Sequence, residues 1–127
     1  MTSRAIRFIL RAEAVAVFAT GCLIYAANDG QLLLLLPALI APDLSMVGYL
    51  GGPRLGAITY NTVHNLVLAL ALIGLGWWLS VGWLLLAGAV VLAHVGMDRT
   101  LGYGLKLPSD FRETHLGRIG RGEATPD

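Results

Sequence analysis

His94 and Asp98 stand four residues apart in the stretch AHVGMDRTLGYGLK, residues 93–106. On a helix that spacing puts an imidazole and a carboxylate on one face. Tyr60 and Asn61 precede His64 by four and three residues, so they share its face in the same way. Asp43 follows Pro42, and Glu13 interrupts an apolar run just after Arg11. Residues of these types support three kinds of chemistry. Carboxylates in apolar surroundings act as general acids near neutral pH, with a histidine as base or as the group that orients a carboxylate. Two histidines with up to two aspartates also make a ligand set for zinc or a similar divalent ion, which can activate water. A carboxylate inside a membrane can instead couple proton movement to transport.

The elements that must position these groups are written in the composition. Of the 127 residues, 56% are hydrophobic and only 13% are charged, against about a quarter charged in a soluble domain. Residues 56–97 contain no Asp, Glu, Lys or Arg. That stretch is long enough for two membrane-spanning helices of roughly 20 residues each, and neither has the polar face of a soluble core helix. The pattern predicts an all-α, four-helix transmembrane bundle with spans near 6–27, 31–49, 54–76 and 83–97. Asn28-Asp29-Gly30, Gly51-Gly52-Pro53 and Ser80-Val81-Gly82 are the turns between them, and Pro42-Asp43 interrupts the second span. Trp77, Trp78 and Trp83 flank the last turn as an interfacial belt would. The N-terminal run carries Arg4, Arg7 and Arg11 but no small-residue cleavage motif, so it reads as a retained helix. Cys22 lies in an apolar stretch and implies no disulfide framework.

All nine basic residues fall at the start of the first span, between the second and third, or after the fourth: Arg4, Arg7, Arg11, Arg54, Arg99, Lys106, Arg112, Arg118 and Arg121. The turns at 28–30 and 79–82 hold none. The positive-inside rule then places both termini in the cytoplasm, as an even number of spans requires. With the third and fourth spans turning near residue 79, His64 is level with His94, and Tyr60 with Asp98. Glu13, Asp43, His64, His94 and Asp98 all fall in the cytoplasmic half of the bilayer. Ionisable groups are costly there, so such a grouping marks a functional site. Each residue also has an ordinary reading, as a membrane-boundary pair, an interhelical hydrogen bond or a helix cap. The shared depth favours one site over five separate accidents. Residues 108–115, PSDFRETH, carry the signature of a short surface helix with Asp110 as N-cap and Glu113 as its capping-box partner. Gly74, Gly76, Gly88 and Ala89 permit close helix packing, within the chain or between copies. Residues 1–116 read as one four-span domain with a cytoplasmic surface segment at 98–116, and 117–127 as a disordered tail.

The motifs PDLSMVGYLGGPRLGAITYNTVHN and HVGMDRTLGYGLKLPSDFRETHLG resemble a family of small bacterial integral membrane proteins, domain of unknown function 4260, over about residues 8–117. The resemblance implies a four-helix membrane protein in the bacterial cytoplasmic membrane. It implies no particular activity.

The leading functional expectation is a membrane-embedded isomerase, cyclase or hydrolase acting on a lipid-like or isoprenoid substrate. Its catalytic candidates are Glu13, Asp43, His64, His94 and Asp98. Tyr60, Asn61, Asn65, Arg99, Tyr103 and Lys106 are the substrate-binding candidates, with Arg99 and Lys106 placed to hold an anionic head group. The second expectation is a metal-dependent hydrolase with a zinc-like ion on His64, His94, Asp98 and Asp43. Haem ranks lower, because one pair of neighbouring helices leaves little room for a macrocycle. The third is a small proton-coupled transporter built around Glu13. Partners are expected to be membrane lipids and a hydrophobic small molecule, with a second copy of the chain as an option and no nucleic acid.

Overall fold

The structure is a computed structural model that describes residues 3–119. Helix α1 runs Arg4–Ala27, α2 Leu32–Ala38, a 3₁₀ helix Ala41–Gly51, α3 Pro53–Val63, α4 Leu66–Trp78 and α5 Gly82–Leu101. Two short strands follow, β1 Glu113–Thr114 and β2 Gly117–Arg118, paired antiparallel. These pieces form four helical segments long and apolar enough to cross a membrane: Arg4–Ala27, Leu32–Gly51, Pro53–Trp78 and Gly82–Leu101. The outward side chains fit that reading, since Phe8, Leu33, Leu50, Val67, Trp77 and Trp83 are exposed. A membrane protein turns such apolar surface toward lipid and satisfies its backbone internally.

The helix ends are set by local chemistry. Ser3 caps α1 through its Oγ, which accepts the Ile6 N–H at 3.2 Å. Three C-termini close with the Schellman pattern, in which a left-handed residue lets the next N–H reach back to a free carbonyl. Asp29, Ser80 and Gly102 take the left-handed position, at φ 64°, 55° and 90°. The returning bonds are Gly30 N to Tyr25 O, Val81 N to Gly76 O and Tyr103 N to Asp98 O, at 2.9, 2.8 and 2.7 Å. The last of these turns the chain back beneath α5 and carries residues 103–119 across the end of the bundle.

Helix α5 is the centre of the fold. Nine of its twenty residues are buried, while no other helix buries more than three. It packs against α1 on one side and α4 on the other, and α3 packs against the 3₁₀ helix. The contacts are close because they are made by small residues. Gly96 faces the backbone of Phe18 and Ala14, and Gly21 faces Ala89 and Ala93. Gly88 lies against Ala69 and Ile73, and Gly76 against Leu85, so these two glycines serve packing within the chain. Gly74 has no neighbour near it. Ala69, Val91, Leu92 and Val95 form the buried apolar cluster, joined by Val17, Ile24, Leu72 and Ile73.

Two spans are discontinuous. The second changes from α to 3₁₀ around Pro42, as the proline led one to expect, but its 3₁₀ part is eleven residues long. Runs beyond three or four residues are uncommon, and they mark strain or function. The third span, expected to be continuous, breaks at His64-Asn65. Asn65 adopts an extended conformation and caps α4, its Oδ1 accepting the Leu68 N–H at 2.9 Å.

The segment after α5 also differs from expectation. Residues 108–115 form no helix. The Arg112 N–H is taken by the Asp110 side chain at 2.8 Å in an Asx turn. Glu113 then enters strand β1, and Thr114 bridges to Lys106. Backbone pairing of Leu107 N with Glu113 O at 2.8 Å, and of His115 N with Leu105 O at 3.0 Å, outweighs the local capping signal. The Leu105 N–H donates in turn to His115 Nδ1 at 2.7 Å. Burial, reinforced by nearby Arg99, holds that imidazole below the usual histidine range. Within the expected tail, Gly117 and Arg118 belong to β2, and residues 120–127 lie outside the described residues.

Candidate metal centre

The two broken spans and α5 bring four side chains to one point. His64 Nε2 lies 2.9 Å from His94 Nε2. Asp43 Oδ1 is 3.1 Å from the first nitrogen and 3.2 Å from the second. Asp98 Oδ2 is 3.3 Å from His94 Nε2 and 3.9 Å from His64 Nε2. One ligand atom from each of the four residues can be chosen so that all lie within 4.8 Å of one another. His64 and His94 are fully enclosed, and Asp98 is buried. The Asp43 side chain alone remains partly open, at 38% exposure.

The backbone explains why the rings point this way. In a 3₁₀ helix the N–H of residue 42 would bond to the carbonyl of residue 39. Pro42 has no N–H, and the Asp43 N–H goes to Ile40 O at 3.0 Å. The Leu39 carbonyl is thereby free, and His94 Nδ1 fills it with a short hydrogen bond. At the break in the third span, His64 Nδ1 reaches its own helix at Tyr60 O, 2.8 Å away. A carbonyl only accepts, so in both rings Nδ1 carries the hydrogen and Nε2 presents a lone pair. Ionised carboxylates are acceptors as well. Four acceptor atoms therefore face one point, and with neutral rings neither imidazole directs a hydrogen into it, the Tyr60 hydroxyl reaching Asp98 Oδ2 from outside the four. Electrostatics opposes that arrangement unless a cation or a proton occupies the centre.

The next layer holds the four in place. The Tyr60 hydroxyl donates to Asp98 Oδ2 at 3.1 Å. Its ring stacks on His64 with centroids 3.6 Å apart and planes 8° from parallel. Ser45 Oγ lies 3.5 Å from His64 Nδ1, and Thr59 Oγ1 donates to Ser45 O at 2.9 Å, tying the 3₁₀ helix to α3. Outside the cluster is a cavity of about 260 Å³ lined by Asp43, Tyr60, Asp98, Tyr103, Lys106 and Phe111.

The remaining candidates divide. Tyr60 touches the cluster, and Tyr103 and Lys106 line its cavity. Asn61 holds backbone instead. Its Nδ2 donates to Lys106 O at 2.8 Å, and its Oδ1 accepts the Lys106 N–H at 2.7 Å. Asn65 is the α4 cap, and its Nδ2 donates to Asn61 O and Thr62 O. Arg99 donates to Tyr103 O at 3.0 Å and to His64 O at 3.4 Å, bracing the helix break from α5. Glu13 does not join the cluster. Its neighbour Ala14 is the α1 residue buried against α5, so Glu13 turns outward, to a separate groove lined also by Arg7, Arg11 and Arg99. Sequence reasoning missed the Leu39 carbonyl, although Pro42 is a legible signal for it.

Comparison with curated proteins and with solved structures finds no match. The model of the family described as Domain of unknown function (DUF4260) matches residues 7–119 and so spans all four converging side chains; the chain belongs to that family.

Proposed function

We propose that this protein is a membrane-embedded metalloenzyme in which Asp43, His64, His94 and Asp98 hold one divalent, zinc-like ion that activates water against a lipid-like substrate. The supporting observation is the convergence of four acceptor atoms with both Nδ1 hydrogens committed elsewhere. A tetrahedral ion with bonds of about 2.0–2.2 Å separates its ligand atoms by about 3.3–3.6 Å. Five of the six separations, 2.9 to 3.9 Å, bracket that edge, and all four atoms lie within 4.8 Å of one another. Hydrogen bonds from His to backbone carbonyls, and from Tyr60 to Asp98, are the outer partners that metal ligands generally have. Asp43, the most exposed of the four, is the one placed to give way to substrate or to take a proton from water. An ion there would bring water to ionise near neutral pH. The topology proposed with this reading has both termini on the cytoplasmic side of a bacterial inner membrane, which puts the cavity mouth at the cytoplasmic surface.

A second reading, acid–base catalysis without metal, draws on one observation. The 2.9 Å separation of the two Nε2 atoms is also a hydrogen-bond distance, so a proton shared between the rings would relieve the same repulsion. The transport reading loses its anchor, since Glu13 lies away from the cluster.

Turnover separates the first two readings. The detergent-purified protein is assayed against a panel of lipid esters and phosphoesters before and after removal of metal with a strong chelator. The metal reading expects hydrolysis to stop and to return on adding zinc. Turnover that survives complete metal removal supports the acid–base reading and sinks the first. A second expected result concerns Tyr60→Phe. Losing one outer hydrogen bond to a ligand should weaken metal affinity by about 10–100-fold while the ring still stacks on His64. Chelator competition reads this directly, and an unchanged affinity would remove Tyr60 from the account.

A further inference from the structure

Lys106 is an unusual residue to find beside such a centre. It is 4% exposed, although a lysine is almost never fully buried without a partner. Its ammonium lies 5.0 Å from the centroid of the Tyr60 ring and 3.9 Å from that of Phe111. Among the described residues no carboxylate comes within ion-pair distance of it. Its backbone is fixed on both sides, by the paired hydrogen bonds to Asn61 and by the bridge to Thr114. The side chain is thus delivered into the cavity that Asp43 and Asp98 also line. Burial lowers the pKa of Lys106, and Asp98 and Asp43 pull it back up.

Charge narrows the choice of ligand. Neutral imidazoles contribute nothing, and a divalent ion would cancel the two aspartates. Lys106 then leaves one positive charge facing the cavity. In the metal-free protein the two aspartates offset Lys106, and the same cavity has no net positive charge to hold an anion. The volume of about 260 Å³ suits a small anionic group rather than a bulky one.

We propose that the substrate of this site carries a phosphate or similar small oxyanion, held between the Lys106 ammonium and the metal. The inference rests on the metal reading above and adds the substrate class. A charged hydrogen bond of this kind contributes enough for its loss to weaken anion binding by about tenfold or more.

The test uses full-length protein in detergent, loaded with zinc and then freed of excess. Elemental analysis gives the metal content of wild type, Lys106→Met and Lys106→Arg, and calorimetry gives the affinity of each for inorganic phosphate. The expected result is equal metal in all three, phosphate binding by wild type only when metal is present, a loss of about tenfold or more in Lys106→Met, and a change under about threefold in Lys106→Arg. Equal phosphate affinity in wild type and Lys106→Met, both metal-loaded, overturns the proposal and leaves the metal reading standing. Wild type that takes up no metal overturns both. A Lys106→Met protein that unfolds cooperatively yet holds no metal overturns the proposal, since Lys106 would then serve the metal site; one that shows no cooperative unfolding passes the comparison to Lys106→Gln. A single-chain phosphatidate in the same micelles supplies the second arm. Displacement of phosphate by this lipid at lower concentration identifies a lipid head group as the source, and weaker displacement identifies a soluble phosphate; either supports the oxyanion class.

Discussion

Replacing His94 by alanine is expected to lower divalent-metal affinity by on the order of 100-fold or more, since even an outer-partner loss costs 10–100-fold. It should also destabilise the fold. The ring is completely enclosed, and its removal leaves the Leu39 carbonyl without its donor. An unsatisfied buried acceptor costs about 1–3 kcal/mol, and the cavity adds to that. His94→Ala and wild type are compared by elemental analysis and by thermal unfolding in detergent. Wild-type metal content in the variant would show that His94 is not a ligand. Loss of stability with full metal retention would reduce it to a structural hydrogen-bond donor.

The second large effect lies at the packing between α1 and α5. A β-carbon at Gly96 would sit 2.7 Å from Phe18 Cα and 2.9 Å from Ala14 O, and backbone cannot rotate away as a side chain can. Gly96→Val should therefore force the helices apart and cost about 3 kcal/mol, at the upper end of what overpacking does. Gly74→Ala is the control. It meets nothing within 4 Å, and the better helix propensity of alanine should leave stability unchanged or raised by up to about 1 kcal/mol. Equal melting of Gly96→Val and wild type would mean that the helices do not approach this closely.

These two sites show what the sequence made legible and what it hid. The four spans follow from charge and apolar run length, which are local properties. Depth is nearly as accessible, because a tight hairpin converts residue number into height. The structure places the His64 and His94 rings in contact and Tyr60 beside Asp98, the two level pairs that the count implies. Position around a helix axis is harder. The residue count groups Glu13 with the others by depth, yet Ala14 takes the inward face and leaves it outside. Seeing that requires knowing which face of α1 meets α5, and small residues such as Gly21 and Gly96 do not announce their partners. The break at His64-Asn65 was hidden for another reason. Asparagine caps a helix only where the chain has already left it, and nothing in an apolar run says that it has. At residues 110–113 the local capping signal was real but weaker than the nonlocal pairing of Thr114 with Lys106. The free Leu39 carbonyl was legible in principle, because a proline always leaves an acceptor without its usual donor.

X-ray absorption on the zinc-loaded protein reads whether the four converging acceptors surround a cation. The expected result is about one equivalent of metal after removal of excess, with two imidazole nitrogens and carboxylate oxygens at about 2.0–2.2 Å. Less than about a tenth of an equivalent, or a first shell without imidazole, would contradict it.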